Sequence, residues 1–327
     1  MAAFPDTATD FDPLTAPMPR SGTRMTSIEW TDVTWNPVTG CDKISPGCDH
    51  CYAEGIARRF AGTPAFPNGF QVTPRWERLD QPLKWRRPRM VFVNSMSDLL
   101  HPDVTNLFVL EVFTRMWKAP RHTFQVLTKR PSRLRALAPT IDAALNGMVC
   151  VTERTGKPVQ PLTWPLPNVW LGTSTEDQRH ADIRIPHLLA TPAAVRFISA
   201  EPLLGPIDLF GDVERPGPAT IRTGVSYPTD YGTGIEYDVD DQPGIDWVIV
   251  GGESGPGARP MDLDWVRSIR DQCATAGVPL FVKQLGSVWA KQAHAAHPKG
   301  GDPGQWPEDL RIRQMPAVGA ALEAGPR

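Results

Sequence analysis

Trp247–Cys273 reads WVIVGGESGPGARPMDLDWVRSIRDQC. Four apolar residues lead into a glycine-rich loop, and a helical stripe of Val266, Ile269 and Cys273 follows, with Asp262 or Asp264 placed to cap that helix. An apolar string without polar alternation is the pattern of a strand buried on both faces, as in a parallel sheet. The stretch is therefore one strand–loop–helix unit.

The same unit recurs on both sides of it. Met90–Asn94 (MVFVN), Thr123–Thr128 (TFQVLT), Val169–Thr173 (VWLGT), Val195–Ser199 (VRFIS) and Leu280–Lys283 (LFVK) are strings of the same kind, and a first strand is expected around Val33–Pro37. Val109, Leu110, Phe113, Met116 and Trp117 form an apolar helical stripe between two of them. Repeated units predict an α/β fold with right-handed crossovers, a partial or full (β/α) barrel of six or seven parallel strands. Residues 26–285 would form it. Residues 1–25, rich in Pro, Thr and Ala, read as a tail, and so do the last ten residues. Residues 214–244 read as an insertion that could cover a site, and 286–327 as a segment packed across one end of the barrel, ending in a tail.

A chain of 327 residues, 41% of them hydrophobic, can bury a sizeable core, which excludes a largely disordered protein. The formal net charge of −2 argues neither for nor against a nucleic-acid partner, so any such argument rests on local patches. No apolar run reaches the ~18 residues of a membrane span, and the first residues lack the pattern of a signal peptide. Five cysteines do not make an even disulfide framework. They fit metal chemistry in a reducing cytoplasm.

Three of the five, Cys41, Cys48 and Cys51, fall in GCDKISPGCDHCYAE with C-x6-C-x2-C spacing. Structural zinc normally takes four ligands, so a zinc knuckle would need His50 or a distant histidine besides. A 4Fe–4S cluster held by three thiolates leaves one iron open. The spacing alone admits both. A helix is expected to start near Tyr52 or Ala53, where its N-terminus favours thiolate charge. Cys273 and Cys150 read as buried thiols, Cys150 in a loop.

Ligands of parallel α/β folds bind beyond the carboxyl ends of the strands. Those ends are polar here: Ser97-Asp98, Thr128-Lys129-Arg130, Thr173-Ser174-Thr175-Glu176, Glu201, Glu253 and Lys283-Gln284. Lys129 suits a carboxylate, and Ser97, Asp98 or Ser174 an amine or hydroxyl. Gly251–Pro260 is either an anion cradle or a tight turn. In Pro74–Arg89 (PRWERLDQPLKWRRPR), cations interleave with Trp76 and Trp85, which suits nucleic acid as well as a solvated linker with two core tryptophans.

EWTDVTWNPVTGCDKISPGCDHCYAE, VFVNSMSDLLHPDV, FQVLTKRPSRL, NVWLGTSTEDQ, RFISAEPLLGPIDL and WPEDLRIRQMP, together with the opening stretch, resemble a phage and bacterial family that carries a three-Cys motif and has no assigned reaction. That family resembles a divergent branch of the radical S-adenosylmethionine (SAM) enzymes, near the spore photoproduct lyase. The resemblance implies a radical SAM type barrel and a 4Fe–4S cluster on Cys41, Cys48 and Cys51. It implies SAM contacts at Ser97, Lys129 and Ser174, with Asp98, Thr173 and Glu201 beside them. It further implies reductive cleavage of SAM to a 5′-deoxyadenosyl radical, an external electron donor, and a nucleobase or nucleic-acid substrate; a partner protein could complete the site. Three departures stand out. The first cysteine gap is six residues, where the superfamily usually has three. The Gly-Gly-Glu triplet follows a late strand. Ser95 stands where the lyase has its hydrogen-donor cysteine, so repair in the lyase's manner is not expected. The competing expectation is a non-catalytic, zinc-stabilised nucleic-acid-binding or phage accessory protein.

Overall fold

A computed structural model describes residues 26, 28–146, 150–151, 158–159, 163–210 and 244–316, with the backbone alone at 150–151 and 158–159. The two expected tails, and the expected insertion up to residue 243, lie outside the described residues.

Seven strands form one sheet: β1 (Val33–Trp35), β2 (Met90–Val93), β3 (Thr123–Thr128), β4 (Val169–Ser174), β5 (Val195–Ala200), β6 (Trp247–Gly251) and β7 (Leu280–Gln284). Their order in the sheet is their order in the chain, and every neighbouring pair is parallel. β1 and β7 do not pair, so the curled sheet is an open half-barrel and not a closed one. Helices α1 (Tyr52–Arg59), α2 (Asn106–Lys118), α3 (Pro131–Asn146) and α4 (Gln178–Leu189) fill the first four crossovers, and α5 (Leu263–Ala276) fills the last. Thr105, Asp177 and Asp262 cap α2, α4 and α5 with side-chain oxygens. Asp262 thus takes the cap, and Asp264 lies inside the first turn.

The apolar strings hide a period of two. Val91, Val93, Leu171, Ile198, Val248, Val250 and Val282 join the large core under the helices. Phe92, Trp170, Phe197, Trp247, Ile249 and Phe281 alternate with them and face the concave side, where they form a second, mostly aromatic core. Trp30 enters this core ahead of β1, with its ring 4.7 Å from Phe92 and 6.0 Å from Trp247. Gly172 sits opposite Phe197, and a Cβ there would lie 2.4 Å from that ring. These side chains fill much of the interior, and Trp30 and Phe92 border the space left toward the carboxyl ends of the strands.

After β7 the chain turns into α6 (Ser287–Gln292) and two short 3₁₀ turns. It then runs back along β7: Val282 N donates to Ile312 O (2.8 Å) and Gln314 N to Leu280 O (2.9 Å). This part of the segment covers the free edge of the sheet, whose N–H and C=O groups need partners, while His297 and Lys299 reach the cavity at the carboxyl ends of the strands. Cys150 belongs to a two-residue strand paired with Pro158–Val159 and not to a loop; its side chain lies outside the described residues.

Candidate functional site

A cavity of about 570 Å³ opens at the carboxyl ends of the strands. Cys41, Cys48 and Cys51 line it, and so do Ser97, Asp98, Lys129, Ser174 and Glu201. Thr173 is not among its lining residues: it is fully buried, and its hydroxyl donates to Thr128 O at 2.8 Å, stitching β4 to β3. The six polar strand ends thus meet at one rim, and eight of the nine singled-out residues share one space.

Backbone geometry brings the cysteines there. β1 ends at Trp35, and Gly40 then bends the chain with φ +85°; a Cβ on it would lie 2.2 Å from Gln71 O. Gly40 also bridges to Ser97 beyond β2. Pro46–Cys48 make a 3₁₀ turn, and Cys51 is the N-cap residue of α1. Cys41 Sγ receives a hydrogen bond from Arg130 Nη1 at 3.8 Å, and Cys48 Sγ lies 3.7 Å from Ser45 Oγ. Burial pushes the Cys41 thiol up to about 11 and the Asp98 carboxylate adds to this, while Arg130 opposes both. A metal would have to displace that proton on binding.

The three sulfurs do not form a group of ligand atoms within 4.8 Å of one another. One zinc ion bonded to all three would hold them about 3.8 Å apart. His50, one of the candidates for a fourth zinc ligand, has its Nδ1 against Glu253 Oε2 at 3.1 Å. A closed zinc knuckle is therefore not preformed. The donor set, three thiolates facing one roomy cavity, suits a larger group, although no cluster-shaped arrangement of the sulfurs stands out.

Most charged groups of the cavity wall are already paired. Asp98 is a hub: Oδ1 accepts from Leu100 N and Thr128 Oγ1, and Oδ2 from Lys129 N and Arg130 Nη1, at 2.7–3.0 Å. Ser97 donates to Val38 O (2.8 Å). Lys129 Nζ contacts Glu176 Oε2 (3.1 Å) and Ser45 Oγ (3.2 Å), and Arg184 reaches the same carboxylate at 2.7 Å. Burial alone would raise the Glu176 carboxyl, but the two cations overcome it and hold it at about 2. Glu201 pairs with Lys283. Glu253 is held at about 2 against the effect of burial, by Arg259 and by the His50 hydrogen bond.

Arg184 and Arg259 were not singled out from the sequence, and Arg130 and Glu176 were named only as members of polar strand ends. An acid directly after a buried strand, next to a helix cap, was the available signal for Glu176. Arg259 is recognisable only from its long-range contacts. The loop Gly251–Pro260 behaves as a tight connection: a Cβ on Gly252 would lie 2.5 Å from Leu285 O, and Gly255 N donates to Ser287 Oγ. Its glycines serve chain packing, and its charged residues Glu253 and Arg259 face the cysteine loop.

Pro74–Arg89 lines no part of the cavity. Arg75 is buried and donates to Pro64 O and Ala65 O, Arg78 reaches Asn36 O, and Trp85 packs on the core. Trp76 is 54% exposed, edge-on to Phe108. Only Lys84, Arg86 and Arg87 of the six expected phosphate-binding cations are solvent-exposed. They precede β2, at the amino end of the sheet and away from the cysteines. Asp42, His101 and Asp103 cluster within 4.8 Å. His101 Nδ1 accepts from Asp103 N, so Nε2 carries the proton and donates it to Asp42 (3.0 Å); both nitrogens are satisfied without an ion.

No helix among the described residues is long and apolar enough to cross a membrane. The molecule is an α/β protein with a parallel seven-stranded half-barrel and a thiol-lined cavity at the carboxyl ends of its strands. The chain belongs to the family described as "Protein of unknown function (DUF5131)", which matches residues 25–316. No match is found among curated proteins or among solved structures.

Proposed function

We propose that this protein is an enzyme of the radical SAM type, with a 4Fe–4S cluster on Cys41, Cys48 and Cys51 and SAM in the adjoining cavity. One observation carries the reading: three thiols, and no fourth among the described residues, share a 570 Å³ cavity with the polar strand ends of a parallel half-barrel. Three thiolates leave a metal position for a ligand. The cavity has room for one, and Ser97, Ser174 and Glu201 lie in its wall.

Bound there, the cluster would supply one electron, from an external donor, to the sulfonium of SAM. The chain's own residues do the rest. The Glu201–Lys283 pair offers both signs of charge to an amino-acid moiety. The aromatic interior below the cavity keeps water out of its inner end. Lys129 is engaged with Glu176, so in this reading it orients Ser45 and the cysteine loop first, and a SAM carboxylate would share it with Glu176. A nucleobase or nucleic acid remains the proposed substrate. The cavity, and not Pro74–Arg89, is the part of the molecule that would meet it.

The test is anaerobic reconstitution with iron and sulfide, followed by SAM and dithionite. The expected outcome is a brown protein absorbing broadly near ~400 nm that releases 5′-deoxyadenosine. Protein that stays colourless and binds one zinc per chain would overturn the reading. A cluster that forms but yields no 5′-deoxyadenosine would reduce it to a structural iron–sulfur protein.

A further inference from the structure

The loop from Cys41 to Cys51 has a six-residue first gap and is largely exposed on its outer face. A gap of that length would ordinarily let two ligands wander relative to each other, since loop freedom grows with length. Here side chains from distant parts of the chain hold it at both ends and in the middle. His101 holds Asp42, next to Cys41. Lys129 holds Ser45. Arg259 makes the most extensive hold. Its Nη2 donates to Pro46 O (2.8 Å) and its Nη1 to Asp49 Oδ2 (3.2 Å), on the two sides of Cys48. Its Nε and backbone N donate to Glu253 Oε2, at 2.9 and 2.7 Å, and that same oxygen meets His50 Nδ1.

Both loops approach closely at glycines. A Cβ on Gly47 would lie 2.8 Å from Lys129 Nζ, and one on Gly257 would lie 3.3 Å from His50 Nε2. The guanidinium is suited to this place because its flat fork serves a carboxylate and a carbonyl at once, which an ammonium cannot reproduce.

We infer that Arg259, oriented by Glu253, is a positioning residue that clasps the cysteine loop and pre-arranges Cys48 and Cys51 for their metal group. The inference rests on the proposed ligand set, yet the clasp exists in the metal-free chain and can be tested there. It also gives the late Gly-Gly-Glu triplet a role different from amine binding.

The experiment compares the full-length wild type with Arg259→Met and Arg259→Lys by hydrogen exchange of the metal-free protein. The amides of Cys41, Cys48 and Asp49 are hydrogen-bonded within the fold and report on the loop. In both variants they are expected to exchange about tenfold faster, with β3 and β4 unchanged. Iron and sulfide bound per chain after reconstitution are expected to fall by more than about half, because loose ligands lose the advantage of pre-arrangement. Unchanged loop exchange in Arg259→Met overturns the clasp. So does faster exchange spread evenly over the sheet, which marks general destabilisation, and so does full recovery of protection by Lys, which would make charge alone sufficient. Wild-type protein that binds no iron–sulfur group at all defeats the proposed function and leaves the exchange result to decide the clasp separately.

Discussion

Replacing Glu176 by Gln should remove a charge that the fold has built around, and should do so in a pH-dependent way. The carboxylate is fully buried and lies between Lys129 (3.1 Å) and Arg184 (2.7 Å). Its folded pKa is near 2, against an ordinary 4.5. A depressed carboxyl contributes stability that is fully present above the unfolded value and is lost as pH falls through the folded one. A difference of about 2.5 pH units corresponds to about 3 kcal/mol at pH 7, falling to about 1 kcal/mol at pH 3. Gln keeps the shape and forfeits the charge, leaving the buried Arg184 and the half-buried Lys129 without their counter-charge, so a loss of about 3 kcal/mol at pH 7 is expected. Urea unfolding of wild type and variant at pH 7, 5 and 3 measures this directly. Their stabilities should differ at pH 7 and 5 and converge toward pH 3. A gap that stays constant across that range would mean the carboxylate is not the titrating partner of Lys129 and Arg184, and the reasoning fails.

Cys48→Ala should remove most of the iron bound after anaerobic reconstitution; iron content equal to wild type would refute its ligand role. Gly172→Ala should cost about 1–3 kcal/mol, because the new methyl meets the Phe197 ring, and an unchanged melting temperature would show that the ring yields freely. Burial pushes His122 down to about 4, and its Nε2 donates to Pro82 O (3.0 Å). The neutral form is the native one, so its stabilisation is complete above pH 6.5 and shrinks toward pH 4; His122→Gln should flatten the stability profile in that window, and an unaltered slope would count against it. Asp98→Asn should cost about 2–3 kcal/mol, since an amide nitrogen faces donors where an oxygen accepted them, and full retention of stability by thermal unfolding would contradict the hub.

Much of the architecture was readable locally. Continuous apolar strings such as WVIV and TFQVLT announced strands covered on both faces, and their termini lie within one or two residues of the expected ones. Polar residues straight after each string forecast the rim of the cavity. Thr173 was the exception, because alternation along β4 turns its hydroxyl into the sheet, to Thr128 O, while Ser174 beyond it reaches the cavity. The cations of Pro74–Arg89 misled for a related reason: a charge run on paper does not reveal which members will satisfy buried carbonyls, as Arg75 does.

Residue order alone determined that this chain is a parallel α/β protein with three thiols near its first strand end, because strand burial and turn formation depend on neighbours within a few positions. Whether the barrel closes, which of the rim charges are spent on each other, and what holds the cysteine loop were decided by the tertiary structure. Pairs such as Lys129 with Glu176, or Arg259 with Pro46, join residues 47 and 213 positions apart. No local pattern encodes such a distance, and only the folded sheet brings those groups within reach of a hydrogen bond.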